Sequence, residues 1–499
     1  MRHVARCFAL FPALFSALFS AGLALAQVGG TGSIEGTVTD PSGAAVAGAA
    51  IDATNVATGA VTARKTTDAG FFVLPLLPAG EYTVTVKAAG FETLTQSHVI
   101  VDALATVGLN PRLQIGAASQ TVTVQDQPSI LKTDEVTLGS SMQNNVYDAL
   151  PLAMNGSARD PSAFAGLAIG VDNYSTQAAG PSTGSFNGGQ TYQNEVYIEG
   201  LPLTSAGTEA DTRNLAFGVS VEAVEQFQVE TSGAKAMYEG QGVENYVFKS
   251  GTNQFHGGVF EYFRNTDFDA RGFFAATTPI EHQNEFGGTI GGPIKKNKIF
   301  FFGSYDGYRY DSASPPGYQT IPTTAEETGN FSAFPQLIYD PNSAAGTNVR
   351  TPFPNNTIPA NRISSIAQSF ESYLPAPTNG NIANNYLATL PVLVHNNNTS
   401  EKVDYNLSDK HRIFGLISEG KYSTNFTGSL TPISTSTLPA PYTDGRVVAE
   451  TSTLGQIHDS YILSPSVVNQ LSLSYSRLWI PLGSDSAAGD YPMKAGLTG

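Results

Sequence analysis

Tyr246-Val247-Phe248-Lys249-Ser250-Gly251-Thr252-Asn253-Gln254-Phe255-His256-Gly257-Gly258 divides this chain into two kinds of sequence. Before it the residues are rich in Gly, Ala and Thr, as in compact β-domains. The stretch itself is a polar turn marked by Gly and Asn. After it come alternating segments loaded with aromatics, such as Phe255 to Arg264 and Lys298 to Arg309. The fold class that follows is all-β, with globular units first and a different kind of sheet behind them.

The start of the chain reads as a secretory leader over residues 1–26. Arg2 and Arg6 supply the positive end, Phe8 to Leu25 the apolar run, and Ala24-Leu25-Ala26 a small-residue cleavage site before Gln27. Of the 26 basic side chains two lie in that leader, and none of the 42 acidic ones does, so the remainder carries a net charge of −18. A chain this acidic is unsuited to nucleic acid, which is bound through clustered cations. The single cysteine, Cys7, also lies in the leader. Neither disulfides nor thiolate chemistry are then expected beyond it. Only 14% of residues are charged while Gly (50), Phe (28) and Tyr (21) abound, which is the opposite of a disordered composition. No apolar run after the leader is long enough for a spanning helix, so any insertion into a membrane has to use strands.

Residues 33–113 read as short strands between strong turns. Ile34, Gly36 and Val38 alternate with polar residues before Asp40-Pro41-Ser42-Gly43. Thr62 to Thr67 is a second β-branched run, which Asp68-Ala69-Gly70 turns into Phe71-Phe72-Val73. Tyr82, Val84 and Val86 alternate with Thr83, Thr85 and Lys87. Ser33-Ile34-Glu35-Gly36-Thr37-Val38-Thr39-Asp40, Asp68-Ala69-Gly70-Phe71 and Pro78-Ala79-Gly80-Glu81-Tyr82 resemble the carboxypeptidase regulatory-like domain, a transthyretin-like β-sandwich also grouped with carbohydrate-binding-like folds. The resemblance implies an accessory domain over 27–115 with no peptidase activity, and no H-E-x-x-H occurs in the sequence. A docking module and a glycan-binding module both remain open here. Tyr82 and Phe91, the aromatics a sugar site could use, are expected in the core.

Residues 119–250 open with Ser119-Gln120-Thr121-Val122-Thr123-Val124-Gln125 and pass through Leu150-Pro151-Leu152 and the run Gln177 to Gly189. The ordered series Ile198-Glu199-Gly200, Val224-Glu225-Gln226-Phe227, Tyr238-Glu239-Gly240, Lys249-Ser250-Gly251-Thr252-Asn253 resembles the plug of TonB-dependent outer-membrane transporters, in the Oar-like branch that carries the same sandwich in front. Two departures stand out. Glu199 replaces the family's usual Asp, and Ala153-Met154 interrupts the Leu-Pro-Leu-Asn-Gly-Arg step before Asn155-Gly156-Ser157. The resemblance implies a TonB-type energy-coupling partner that reads an extended segment by β-augmentation. Thr121, Val122, Thr123 and Val124 are the candidates by position and β-branching, although they could equally be a strand of the plug sheet. Asn187, Gly188, Gly189, Glu199 and Gly200 are the candidate functional loops.

Residues 251–499 read as part of a transmembrane β-barrel. Asn284-Glu285-Phe286-Gly287-Gly288-Thr289-Ile290-Gly291-Gly292-Pro293-Ile294 and Lys298-Ile299-Phe300-Phe301-Phe302-Gly303-Ser304-Tyr305-Asp306-Gly307 are two strands joined by a Lys/Asn turn, and they resemble the start of the Oar-like barrel. Tyr310 to Ser400 reads mostly as loop. Strands return at Lys402 to Leu407, Ile413 to Tyr422, Ser452 to Leu463 and Val467 to Trp479, where Leu471, Leu473 and Tyr475 alternate with Ser472, Ser474 and Ser476. A plugged barrel of about 22 strands, each of roughly 9–11 residues, needs on the order of 220 residues in strands alone. Phe255 to Gly499 holds 245 positions, much of them loop. The expectation is therefore an incomplete chain of a longer transporter.

Other motifs fail on context. Gly180-Pro181-Ser182-Thr183-Gly184 matches G-x-S-x-G but lies among Gly, Ser and Thr rather than between a buried strand and a helix. No phosphate-binding G-x-x-x-x-G-K-[ST] occurs. Asp340-Pro341-Asn342 lacks the spacing of a calcium loop, Glu326-Glu327 reads as a solvated face, and His256 and His282 as turn or interface residues. No catalytic residue, metal ligand or cofactor is expected. The implied function is TonB-dependent uptake of an unidentified large substrate across the outer membrane of a Gram-negative bacterium, with a periplasmic front domain and lipid around the barrel. The rival is a surface-binding protein whose sandwich takes a glycan or protein partner.

Overall fold

The computed structural model describes residues 30–497 apart from 117–120, 125–137, 148–157, 160–164, 176–182, 190–193, 204–218, 234–241, 274–277, 279, 314–316, 345–348, 389–390, 425–437, 440, 443–445, 465–466, 480 and 485–488. The leader, the Leu150 to Ser157 step and Tyr238-Glu239-Gly240 lie outside the described residues. No helix among the described residues is long and apolar enough to cross a membrane.

The front unit is a two-sheet sandwich. One sheet has the order β4 (Phe71–Pro78), β1 (Thr31–Thr37), β7 (Thr106–Gly108); the other runs β3 (Val61–Lys65), β2 (Ala50–Asn55), β5 (Gly80–Lys87), β6 (Thr93–Val101), β8 (Thr121–Val124). Ile34, Ile51, Leu74, Val84 and Val86 are fully buried between the sheets, which is the period-2 alternation expected of half-buried strands. Asp40 caps the first turn, its carboxylate accepting from the Ser42 and Ala44 amides at 2.8 and 2.9 Å. These bonds, led by that from the Ser42 hydroxyl, hold its carboxyl below the usual range. Tyr82 is buried and donates its hydroxyl to the Pro78 carbonyl at 2.8 Å. Phe91 packs partly buried on the same core. Thr121 to Val124 therefore stand at the edge of the sandwich sheet, not in the sheet of the next unit.

The middle unit is built on a five-stranded sheet of order β13 (Leu201–Pro202), β12 (Asn194–Ile198), β15 (Gly242–Phe248), β14 (Val224–Ser232), β9 (Leu138–Gln143), with β10 (Val171–Ser175) and β11 (Thr183–Phe186) as a separate pair. Every residue of β15 is buried. β11 begins at Thr183, inside the G-x-S-x-G pattern, where a nucleophile elbow needs a turn into a helix.

The third unit is an antiparallel meander: β16 (His256–Asn265), β17 (Glu281–Lys295), β18 (Ile299–Ala313), β21 (Pro391–Ser408), β22 (His411–Thr424), β23 (Arg446–Ser464), β24 (Val467–Trp479), with β25 (Leu482–Ser484) added beside β23. Each strand lies next to its neighbour in sequence, the up-and-down order of barrels. Connections at one end are short, as at residues 296–298 and 409–410, whereas those at the other run through 266–280, 314–390 and 425–445. That asymmetry is characteristic of outer-membrane barrels. The two faces differ as well. Ile417, Ile457, Leu471, Leu473 and Tyr475 point outward and are more than half exposed, whereas Phe300, Phe302, Lys402, Leu416, Gln456 and His458 point inward and are buried.

Two strands are longer than the sequence suggested. β21 begins at Pro391, eleven residues before Lys402, and pairs in unbroken register with β18 from Ala313↔Pro391 to Ile299↔Tyr405. Its front half, His395-Asn396-Asn397-Asn398-Thr399-Ser400, is polar on both faces and carries no alternation. β23 likewise starts at Arg446 rather than Ser452. The described residues of the excursion between β18 and β21 carry local structure. β19 (Gly317–Gln319) pairs β20 (Tyr386–Ala388), and Arg362 forks onto Asp340 at 2.7 and 3.1 Å. Glu326 closes a capping box with Thr323, so it is a helix-start residue rather than a free solvated charge.

The dividing stretch is the node of all three units. Asn253 donates its amide N–H to Ala57 O at 3.0 Å and its side-chain amide to Thr58 O at 2.6 Å and Asn297 Oδ1 at 2.7 Å; its own Oδ1 accepts from Asn297 N at 2.8 Å. An amide side chain supplies both the two N–H donors and the acceptor oxygen used here. Gly251 passes so close to the β17–β18 hairpin that a Cβ would stand 2.3 Å from Phe301 O and 2.7 Å from Gly292 O. Gly251→Ala must push apart backbone that cannot move cheaply and should cost about 1–3 kcal/mol, read as a lower thermal midpoint in detergent; an unchanged midpoint contradicts the packing. Leu473→Arg places a cation on the outward face opposite Ile457 and should cost about 2–4 kcal/mol if that position lies near mid-membrane. Wild-type yield of the membrane-inserted protein after that substitution contradicts the assignment of faces.

Candidate functional site

The middle unit sits on the inward face of the meander and shares one core with it. Phe227, Tyr246 and Phe248 of the former cluster with Phe302, Leu416 and Leu454 of the latter. Two charged contacts pin this interface, one toward each end of the strands.

The first is built on the turn between β12 and β13. Glu199 and Gly200 have φ of 51° and 76°, the left-handed pair that a two-residue hairpin demands. Asp tolerates this conformation better than Glu, so Glu199 takes the position against its local preference. The turn is fixed by Glu199 N to Tyr246 O at 2.9 Å and Gly200 N to Asn245 Oδ1 at 3.1 Å. Oε1 of Glu199 accepts from Phe248 N at 3.0 Å and from Lys402 Nζ at 2.6 Å. Lys402 also donates to Phe248 O at 3.2 Å and lies 4.7 Å from the Phe414 ring centroid. The His458 ring stacks on Phe414, with the centroids 4.2 Å apart. Gln456 Nε2 donates to Ile198 O at 3.1 Å. The longer arm of Glu199 thus reaches a lysine on a membrane strand, across 203 residues of sequence.

The second contact is Arg159, whose side chain is 7% exposed. Its Nε donates to Glu285 Oε1 and its backbone N to Glu285 Oε2, both at 2.9 Å, while Nη2 reaches Glu222 at 3.2 Å. The guanidinium lies 3.6 Å from the Tyr262 ring centroid, a cation–π geometry. Beside it Ser220 donates to Asp306 Oδ2 at 3.0 Å. Lys402 and Glu285 are the register partners of Phe302 and Tyr308 on β18. Six residues of strand put the two contacts about 20 Å apart.

Asn187 and Gly188 also adopt left-handed φ, of 46° and 78°, but their turn is exposed and tied locally. Asn187 N donates to Gly170 O at 2.7 Å and the Asn187 side-chain amide to Thr231 O. No described hydrogen bond joins this turn to Glu199-Gly200. His256 opens β16 and bonds Thr252, while His282 lies within β17, not in a turn, and bonds its register partner Asn265; no three-residue metal cluster occurs among the described residues. Lys402, Arg159, Glu285, Glu222, Asp306 and His458 were not singled out from the sequence. The signal was available: a charge in the middle of a membrane strand has to turn inward and find a partner there.

Removing one member of a buried ion pair strands the other, at about 3–5 kcal/mol. Lys402→Met and Glu199→Gln should each lower the urea concentration at which protease cuts the middle unit, and the double variant should lose clearly less than the sum. Strictly additive losses contradict the pairing.

A family model described as "Outer membrane beta barrel domain" matches residues 247–498, just over half of the chain, and "Carboxypeptidase regulatory-like domain" matches 33–114. The TonB-dependent transporter Oar of Myxococcus xanthus is 28% identical over 261 residues, 48% of this chain and 23% of that protein. The chain thus spans less than a quarter of the length of the curated relative it matches. The outer membrane transporter YddB from Escherichia coli overlaps 70% of this chain and 40% of its own at 11% identity and a TM-score of 0.44. A single-site mutant of the ferric enterobactin receptor PfeA from Pseudomonas aeruginosa overlaps 68% and 41% at 13% identity and 0.38. Resting on the family match and on the meander's own geometry, the chain belongs to the outer membrane β-barrel domain family, resembles within it the TonB-dependent, Oar-like transporters, and has its place in the outer membrane of a Gram-negative bacterium.

Proposed function

We propose that this protein is a TonB-dependent transporter for active uptake of a large substrate, with residues 1–26 as leader, 27–115 as periplasmic sandwich, 119–250 as plug and 251–499 as barrel. The observation that carries this reading is the manner in which the middle unit is held. Here two desolvated charge clusters, Glu199–Lys402 and Arg159–Glu285, add discrete and reversible anchors to the shared core. Buried pairs of this kind contribute little net stability but give the interface two defined states, seated and released. Glu199, Gly200 and Asn187 to Gly189 are proposed as the loops through which the plug senses or yields to its load.

Thr121 to Val124 are proposed as the segment that a TonB-type protein takes by β-augmentation. The glycan-binding rival finds less support, since Tyr82 is buried and Phe91 is packed on the core of the sandwich. The chemistry of transport needs no catalytic residue, cofactor or resident metal.

Detergent-solubilised protein should capture the periplasmic domain of the TonB protein of its own organism. Deleting Thr121 to Val124 should abolish that capture and leave the thermal midpoint of the membrane sheet unchanged. Undiminished capture refutes the coupling assignment.

A further inference from the structure

We propose that the short-turn rim of the meander is a binding surface for anionic phospholipid, with Lys295, Lys296, Lys298 and Lys410 holding headgroup phosphates of the periplasmic leaflet. This rests on reading the short-turn end, where the sandwich is tied, as periplasmic.

The charge of the chain is unevenly placed. Acidic residues outnumber basic ones, 42 to 26, yet four of the seven lysines after residue 250 fall at two short turns. Lys295-Lys296-Asn297-Lys298 joins β17 to β18, and Asp409-Lys410 joins β21 to β22. The long connection at the opposite end leans the other way. Between residues 314 and 390 stand Glu326, Glu327, Asp340 and Glu371 against Arg350 and Arg362.

The backbone of both turns is fixed while their lysine side chains are left free. Lys298 N donates to Lys295 O at 3.0 Å, Lys298 O accepts from Asn406 N at 2.8 Å, and Lys410 O accepts from Ile462 N at 2.8 Å. Asn297, the one residue of the first turn that is not lysine, is taken by Asn253. All four lysines are exposed, and none is held in an ion pair among the described residues. The outward carboxylate on the neighbouring strand, Asp459, is already engaged by His411 Nε2 at 2.6 Å. With strands about 4.7–4.9 Å apart, the two turns lie roughly 10 Å from each other along the ladder. That is about one screening length at moderate salt, so the four ammonium groups act as a single patch.

The strands place this patch at headgroup height. Outward residues beside the turns are Ile294, Val403 and Tyr405, all exposed, and they meet acyl chains if the outward face meets lipid. A lysine just beyond such a residue lays its aliphatic stem on the apolar rim and sets its ammonium among the phosphates. Each basic side chain near an anionic lipid surface adds attraction. An acidic soluble protein would match the charge but not the apolar shoulder beneath it. The rim therefore anchors the sheet electrostatically on the side where the sandwich sits.

The test uses the full chain in uncharged detergent, titrated with phosphatidylglycerol or with phosphatidylcholine of the same acyl chains, and bound lipid is counted by native mass spectrometry. Phosphatidylglycerol should bind at least tenfold tighter. Changing Lys295→Gln, Lys296→Gln, Lys298→Gln and Lys410→Gln together should abolish that preference, whereas Lys→Arg at the same four positions should keep it. Arg350→Gln with Lys421→Gln, which removes charge toward the long-loop end, should leave it within twofold of wild type. Raising NaCl from about 0.1 to about 1 M cuts the screening length to ~3 Å and should weaken phosphatidylglycerol binding to the unaltered protein at least tenfold, a reading that needs no variant to fold. Equal binding of the two lipids, or a preference that survives in the Lys→Gln variant, overturns the proposal. That variant should still capture the periplasmic TonB domain, so the lipid surface and the coupling assignment are tested apart.

Discussion

A strand embedded in hydrocarbon must pair its backbone polar groups, and a charge on its lipid side is costly. Most of this architecture follows from that constraint. It favours the single antiparallel ladder of β16, β17, β18, β21, β22, β23 and β24 and biases their side chains by parity. Outward positions take Ile417, Ile457 and Leu473, with the exposed carboxylates Glu401 and Glu419 on the same face, while inward positions become Lys402, Glu285, Asp306 and His458. Inward charges then need partners, and in this chain the middle unit supplies them through Glu199, Arg159 and Ser220. The charged part of the interface with the middle unit is thus a consequence of membrane solvation, not an addition to it.

The sandwich obeys a different solvent and a different rule. It is a water-soluble two-sheet core with its own complete set of buried apolar residues, tied to the sheet by a few polar bonds at the short-turn end. Those bonds converge on Asn253 and Arg412, where a donor or acceptor of one unit meets a backbone group of another. Polar joints are weak individually and can be remade.

Local patterns in the sequence were enough to read the alternating strands, the turns at Asp40 to Gly43 and Asp68 to Gly70, and the switch at Lys249 to Asn253. Leu471, Leu473 and Tyr475 announced their face correctly because the lipid side of a strand must be apolar. The front half of β21 stayed hidden because His395 to Ser400 are polar on both faces, and only the register with β18 makes them a strand. Thr121 to Val124 looked like any surface strand, since a four-residue run does not name the edge it will join. The partners of Glu199 and Arg159 lie 203 and 126 residues away. No local pattern encodes such distances, although the parity of Lys402 and Glu285 within aromatic strands did carry the hint that something charged must face them. Glu199 was found by its motif, while the reason for its longer arm emerged only with Lys402 in view.

The chain contains a single tryptophan, Trp479, on the outward side of β24 and 55% exposed. Its fluorescence therefore reports directly on whether that face meets lipid. In vesicles, phospholipids brominated near the headgroup should quench it strongly, and acrylamide added to the water should quench it weakly. Strong quenching by acrylamide with none from brominated lipid would contradict a membrane-facing sheet and, with it, the parity on which the charge-pinned interface depends.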